Sequence, residues 1–177
     1  RALATGNVRL EFFDGAGLPG VALLAQRMHL YHQDGAIDAV ADVFLQVSDR
    51  VIVYADSLRW EPESERIVIP GALRIELADG AEKGRGLETD LSADAWVLHD
   101  VEGRWEWDEE AVAIWADRER SQRVEGGIQT RYEQVELQVE DMQLNSPLAH
   151  WIPDLRQLSL DGGVEGVDSS GTFSAQQ

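Results

Sequence analysis

Two histidines three residues apart, His29 and His32, are the first pair whose spacing invites chemistry. On a helix such a pair shares a face and can hold a metal ion, whereas on a strand positions three apart point to opposite faces and cannot chelate. His99 and His150 stand alone in the sequence. Carboxylates are abundant, as at Glu106, Asp108, Glu109 and Glu110. Sugar hydrolysis needs two of them about 5–10 Å apart, one with a raised pKa. With 33 acids, close pairs arise by chance, and none sits in an obviously apolar context. Gly84-Arg85-Gly86 is too short for a phosphate loop, and no Gly-x-Ser-x-Gly nucleophile element occurs. We therefore expect no catalytic residue, no metal and no cofactor. Trp105 and Trp107 are two apart and would share one face of a strand, as a platform for sugar or as filling for a β core.

The 177 residues carry 15 basic and 33 acidic side chains, a net charge of −18 that would repel a phosphate backbone and excludes nucleic acid as a partner. At 44% hydrophobic residues the chain has material for a core, yet its longest greasy run, Val21 to Ala25, falls far short of the roughly 20 residues that span a bilayer. Cysteine is absent, which fits an oxidising compartment such as the cell envelope. The chain starts at Arg1 rather than Met, leaving room for a leader or an N-terminal anchor ahead of it.

The elements that must position these residues are strands. Gly6-Asn7-Val8-Arg9-Leu10-Glu11-Phe12-Phe13-Asp14-Gly15 returns as Gly71-Ala72-Leu73-Arg74-Ile75-Glu76-Leu77-Ala78-Asp79-Gly80, with apolar residues at every second position and Arg and Glu between them. That is a half-buried strand closed by a turn, used twice. Ile37–Val47 holds apolar residues at every odd position. Shorter alternating runs read as strands at Arg50–Ala55, Ser57–Trp60, Arg66–Ile69, Leu87–Leu91, Trp96–His99, Val101–Trp107, Val112–Ala116 and Gln134–Glu140. Turn chemistry separates them at Asp14-Gly15, Asp34-Gly35, Glu61-Pro62-Glu63-Ser64, Asp79-Gly80, Ser92-Ala93-Asp94 and Asp161-Gly162. Asp108–Arg123 reads as a strand followed by a polar loop, Asn145–Asp154 as a loop over one end, and Asp168–Gln177 as a fraying tail.

Three phrases resemble the periplasmic lipopolysaccharide-transport proteins of the LptC and LptA type, the OstA-like family, with LptC the nearer likeness. They are Gly6-Asn7-Val8-Arg9-Leu10, the strand, acidic Pro turn and strand of Val53 to Arg66, and Lys83 to Leu91 continuing through Val101-Glu102-Gly103-Arg104-Trp105. The resemblance implies an all-β fold, an open-ended twisted β-jellyroll of antiparallel strands, over residues 1–107. Residues 108–167 would continue the β-structure or form a second small β module, and 168–177 would be a flexible tail.

It further implies a protein of the cell envelope, working in outer-membrane biogenesis without enzymatic activity, that binds lipopolysaccharide or another acylated lipid in an apolar groove. The implied partners are other β-jellyroll transport proteins and an inner-membrane ABC transporter, and the implied location is the periplasm, with tethering to the inner membrane by an N-terminal anchor. The lining would come from the inward alternates Val8, Leu10, Phe12, Val43, Leu45, Val51, Val53, Leu73, Ile75, Leu77 and Leu87. The first strand, through Arg9 and Glu11, would offer an edge for a partner. Two other readings of the same residues stay open: a carbohydrate-binding β-sandwich using Trp105 and Trp107, and a structural β-solenoid that polymerises.

Overall fold

The computed structural model describes residues 1–13, 19–48, 51–77, 80–92, 94–107, 110–124, 127–152, 157–168 and 171–175. Among them run thirteen strands: β1 (Ala2–Phe13), β2 (Pro19–Leu30), β3 (Ile37–Ser48), β4 (Val51–Glu61), β5 (Arg66–Leu77), β6 (Gly80–Asp90), β7 (Ala95–Trp107), β8 (Glu110–Val124), β9 (Gly127–Val139), β10 (Met142–Ile152), β11 (Gln157–Asp161), β12 (Val164–Asp168) and β13 (Gly171–Ala175). They form one sheet in which each strand from β1 to β10 pairs antiparallel with the next. This is the all-β fold that the alternation predicts, built as the open antiparallel sheet that the resemblance implies.

Turn residues set the order. In the β2–β3 turn the Asp34 carboxylate accepts the Ala36 N–H at 3.0 Å, while Gly35, at φ +69°, donates its N–H to the Tyr31 carbonyl at 2.8 Å. The β4–β5 turn is closed from Glu65 N–H to the Pro62 carbonyl at 3.3 Å. The turns read at Asp14-Gly15, at Asp79 and at Ala93 lie outside the described residues.

The strands are long, and nearly all are broken in the middle. Pairing skips between Thr5 and Val8 in β1, Leu24 and Arg27 in β2, Val40 and Val43 in β3, Ala55 and Arg59 in β4, Ile69 and Ala72 in β5, and twice in β6 between Lys83 and Glu88. In β7 to β10 the interruptions fall at Asp100, Asp117, Gln134 and Pro147, where Asp100 and Gln134 have φ of +51° and +55°. Those between β1 and β7 shift the register as β-bulges do, those between β7 and β10 leave one unpaired residue on each strand without a shift, and all lie side by side across the sheet. One extra residue shifts a strand's alternation by one, so the buried set changes from even to odd: Leu98 gives way to Val101, Ala116 to Glu119, Tyr132 to Val135, Ser146 to Ala149. The strand can thus bend sharply and keep the same face inside.

The observed pairing corrects several of the sequence readings. Arg50–Ala55 and Ser57–Trp60 are two halves of β4, and Trp96–His99 and Val101–Trp107 are two halves of β7. The polar stretch Asp117–Arg123 is the second half of β8, its backbone paired with β7 and β9, instead of a loop. Asn145 to Ile152 lies in β10, flanked by β9 on one side and by β11 and β12 on the other. Those last two lie end to end along β10, joined at Gly162 and Gly163 with φ of +87° and +97°, so Asp161-Gly162 is a joint on the bulge line and no hairpin. Gly171–Ala175 pairs with β12 as β13.

The bulge line divides the sheet into two half-sheets whose apolar faces meet. Phe12 on β1 lies edge-on to Trp60 on β4, ring centroids 4.8 Å apart, although these strands are not neighbours. Trp105 on β7 stacks on Trp151 of β10 at 6.3 Å and tilts against Tyr132 of β9 at 5.9 Å. The repeated phrase has a structural meaning here: Gly6 and Gly71 both sit at the bulge, and the Arg and Glu that follow pair in both copies, Arg9 with Glu11 at 2.6 Å and Arg74 with Glu76 at 2.9 Å.

Candidate functional site

The interior between the half-sheets is the candidate site. On the first half-sheet a single cross-strand row runs over ten strands: Leu10, Leu23, Leu45, Val53, Ile75, Glu82, Gly103, Ile114, Leu137, Leu144. It is apolar throughout except at Glu82. On the second, an outer row carries Leu30, Ile37, Trp60, Ile67, Thr89, Trp96, Ser121, Thr130 and Trp151, apolar at the β1 side and partly hydroxylated toward β10. Each step is a directly opposed pair, the unit in which side chains pack on a sheet.

All eleven lining candidates face this interior. Val43, Leu45, Val53, Leu73, Ile75 and Leu87 are buried in one apolar cluster, and Val8, Leu10, Phe12, Val51 and Leu77 pack against it. These side chains pack against one another. Where Trp105, Val112, Tyr132, Leu137, Trp151 and Leu158 meet, a void of about 10 Å³ remains. At the β1 side the Trp60 indole N–H is buried without an acceptor among the described residues. Such a donor costs about 1–3 kcal/mol relative to a satisfied one.

Between the half-sheets lies one polar cluster. Glu119 is 1% exposed and Glu82 2%, and the two carboxyls hydrogen-bond each other. The Trp96 indole donates to Glu119 Oε1 at 2.6 Å and the Ser121 hydroxyl to the same oxygen at 2.7 Å, while Ser121 and Thr130 hydroxyls are 2.7 Å apart. Tyr132 donates its hydroxyl to Glu82 Oε1 at 3.1 Å. Burial pushes the Glu119 carboxyl above the usual carboxylate range, against the opposing pull of its hydrogen bonds with Glu82, Ser121 and Trp96. Glu119 Oε2 finds no N–H or O–H donor among the described residues.

The remaining sequence candidates lie elsewhere. Arg9 and Glu11 are exposed on β1, whose single neighbour among the described residues is β2. His29, on β2, has Nδ1 2.8 Å from an Arg1 guanidinium nitrogen, and His32 is exposed in the β2–β3 turn. No group of three or more His, Asp or Glu close enough to hold a metal occurs among the described residues. Trp105 is 8% exposed and belongs to the interior; the side chain of Trp107, and Asp108 and Glu109, lie outside the described residues.

Sequence reasoning missed a row of basic side chains on the outer face of the second half-sheet. Arg120 opposes Arg131, which opposes His150, and with Arg66 and Glu88 they reach an opening of about 830 Å³ at the end of the second half-sheet, whose lining includes the inner-row Thr89, Trp96, Ser121, Thr130 and Trp151. Arg66 pairs with Glu88, Arg120 with Glu133 at 3.7 Å and His150 with Asp161 at 3.6 Å; Arg131 has no ion-pair partner among the described residues. Three strands contribute one basic side chain each, so no local motif in the sequence announces them.

No protein-family model matches the chain, and no curated protein does. Among solved structures, a similar one is the crystal structure of LptH, the LptA homologous periplasmic component of the conserved lipopolysaccharide transport device from Pseudomonas aeruginosa. It is 9% identical, the likeness covers 89% of this chain and 94% of that chain, and the TM-score is 0.41.

Proposed function

We propose that this chain is a non-enzymatic lipid carrier that holds acyl chains between its two half-sheets and passes them to a partner of similar build. The observation that carries the reading is the cross-strand apolar row, continuous from β1 to β10 but for Glu82 and faced by a second largely apolar half-sheet. An acyl chain leaving a membrane forfeits about 0.8 kcal/mol per CH₂ unless another apolar surface replaces the lipid. A slot between two apolar half-sheets replaces it without any chemistry. Entry then requires the half-sheets to part, exchanging contacts with each other for contacts with the lipid. The unpaired Trp60 N–H would gain an acceptor from the carbonyl of an esterified chain.

The sequence resemblance names the cargo as lipopolysaccharide, the place as the periplasm, with an anchor ahead of Arg1, and the partners as further β-jellyroll transport proteins fed by an inner-membrane ABC transporter. The free edge of β1 is where such a jellyroll would continue the sheet.

The test is photo-crosslinking to purified lipopolysaccharide with a photoreactive residue at Leu45 or Ile75, both buried in the slot, and at Arg74, exposed on the outer face. Adducts at the two inner positions and none at Arg74 are expected. Absence of adducts, or equal yield at all three, would refute the carrier. One observation favours a second reading: the interior is packed around Trp105 and Trp151, as a structural β-module joined through its edges would need. Such a module gives no inner-face adduct at all.

A further inference from the structure

Acids outnumber bases 33 to 15 along the chain, yet the opening at the end of the second half-sheet has the reverse balance. Arg66, Arg120, Arg131 and His150 line it, against Glu88 and Asp90. Glu88 is engaged by Arg66, and Asp90 accepts the N–H and the hydroxyl of Ser92 in the turn that follows β6. The acids that pair with Arg120 and His150, Glu133 at 3.7 Å and Asp161 at 3.6 Å, are not part of the lining.

Register makes this more than a local surplus. Arg120 on β8 lies directly opposite Arg131 on β9, which lies directly opposite His150 on β10. Neighbouring strands are about 4.8 Å apart, so the row crosses about 10 Å. Like charges directly opposed in a sheet cost free energy, and the long, exposed pair of Arg120 with Glu133 offsets little of it. An anion seated between the two guanidinium forks removes the repulsion. A phosphate monoester offers terminal oxygens to both forks, where a carboxylate is filled by one.

The inner side of the same opening is a different surface. Trp96 and Trp151 line it and belong to the apolar cluster between the half-sheets. The hydroxyls of Ser121 and Thr130 beside them are 2.7 Å apart and bonded to each other, so the charge of the opening lies at its rim. A molecule seated there meets the arginines and the entrance to the interior together, which suits an amphiphile with an anionic head.

We propose that Arg120 and Arg131 hold the phosphate-monoester headgroup of the lipid whose acyl chain enters between the half-sheets at this end. The inference rests on reading the interior as the lipid path, and it gives the lipid a direction: head at the arginine row, tail past Trp96 and Trp151. A row three strands wide takes one such group, and the net charge of −18 turns away a polyanion.

The test is equilibrium dialysis of the intact chain against a pyrene-labelled monoacylglycerol and its 3-phosphate ester, of equal chain length and below their micelle concentrations, with glycerol 3-phosphate as a third ligand. The wild type should bind the phosphorylated lipid roughly tenfold more tightly than the neutral one, the worth of one hydrogen bond to a charged group. Arg131→Gln should bring that ratio toward one and leave the affinity for the neutral lipid unchanged. Arg120→Gln should do the same and carries the test if the first variant folds poorly. Arg74→Gln removes an exposed arginine of the first half-sheet, controls for net charge, and should keep the full ratio. Equal affinity for the two lipids in the wild type, or the same loss of preference in Arg74→Gln as in Arg131→Gln, overturns the headgroup site and leaves the carrier standing. Glycerol 3-phosphate bound through Arg131 with neither lipid bound assigns the row to a free phosphate ester, which overturns the headgroup site and refutes the carrier as well.

Discussion

Gly84 tests the bulge line most sharply. It lies at the bend of β6, and a Cβ built on it would stand 2.7 Å from the carbonyl oxygen of His99, 2.7 Å from Leu98 Cγ and 2.8 Å from Leu98 Cδ1. The carbonyl is backbone of β7, paired with β6 next to the bend, and cannot withdraw without opening that ladder. Overpacking a tight interior costs about 1–3 kcal/mol, and a backbone obstacle puts Gly84→Ala at the upper end. The stiffer unfolded chain of alanine returns about 0.4–1 kcal/mol. The net loss is thus roughly 2 kcal/mol, which for a chain of this size lowers Tm by about 4–8 °C. Gly71, at the bend of β5, is the matched control: a methyl group there would meet nothing within 4 Å and its φ is ordinary, so Gly71→Ala should be neutral or stabilising by up to about 1 kcal/mol. Urea unfolding followed by tryptophan fluorescence, together with thermal melting, measures both. Equal shifts in the two variants would show that the half-sheets do not meet β6 and β7 as described.

Ala41 holds φ of +65° in the bend of β3, a conformation that strains any residue with a Cβ. Ala41→Gly should therefore raise the unfolding free energy by up to about 1 kcal/mol, read by the same urea titration, where glycine in a strand usually lowers it. Because Glu119 holds its proton more tightly when folded, its contribution to stability is complete below the ordinary carboxylate pKa and is lost as pH rises through the raised one. Unfolding free energy measured across that range should fall toward alkaline pH in the wild type and lose this slope in Glu119→Gln; a parallel slope in both would assign it to other groups. A photo-crosslinker at Arg9 on the free edge of β1 should capture a neighbouring protein in cells, and one at the exposed turn residue Glu63 should not. Equal capture would move the interface off this edge.

The alternation of apolar and polar residues was enough to establish an all-β chain, and it placed Leu45, Val53 and Ile75 on one face, because the side-chain period of a strand is local and survives any tertiary arrangement. Asp34-Gly35 and the Glu61 to Ser64 turn were legible for the same reason, since turn geometry is decided within four residues. Strand length was not. At Asp100, Asp117 and Gln134 an unpaired residue shifts the period by one, and a local reading sees two short strands or a strand and a loop where there is one bent strand. What makes the second half of β8 a strand despite its polar run is its backbone pairing with β7 and β9, a partnership no window of sequence contains. The same holds for the site. Glu82 and Glu119 do not stand out among 33 acids until the sheet folds along its bulge line and turns them toward each other; Arg120, Arg131 and His150 become a row only through register. Sequence determined which faces are greasy, through short-range periodicity; the folding of the sheet decided which faces meet, because that depends on pairing between residues distant along the chain.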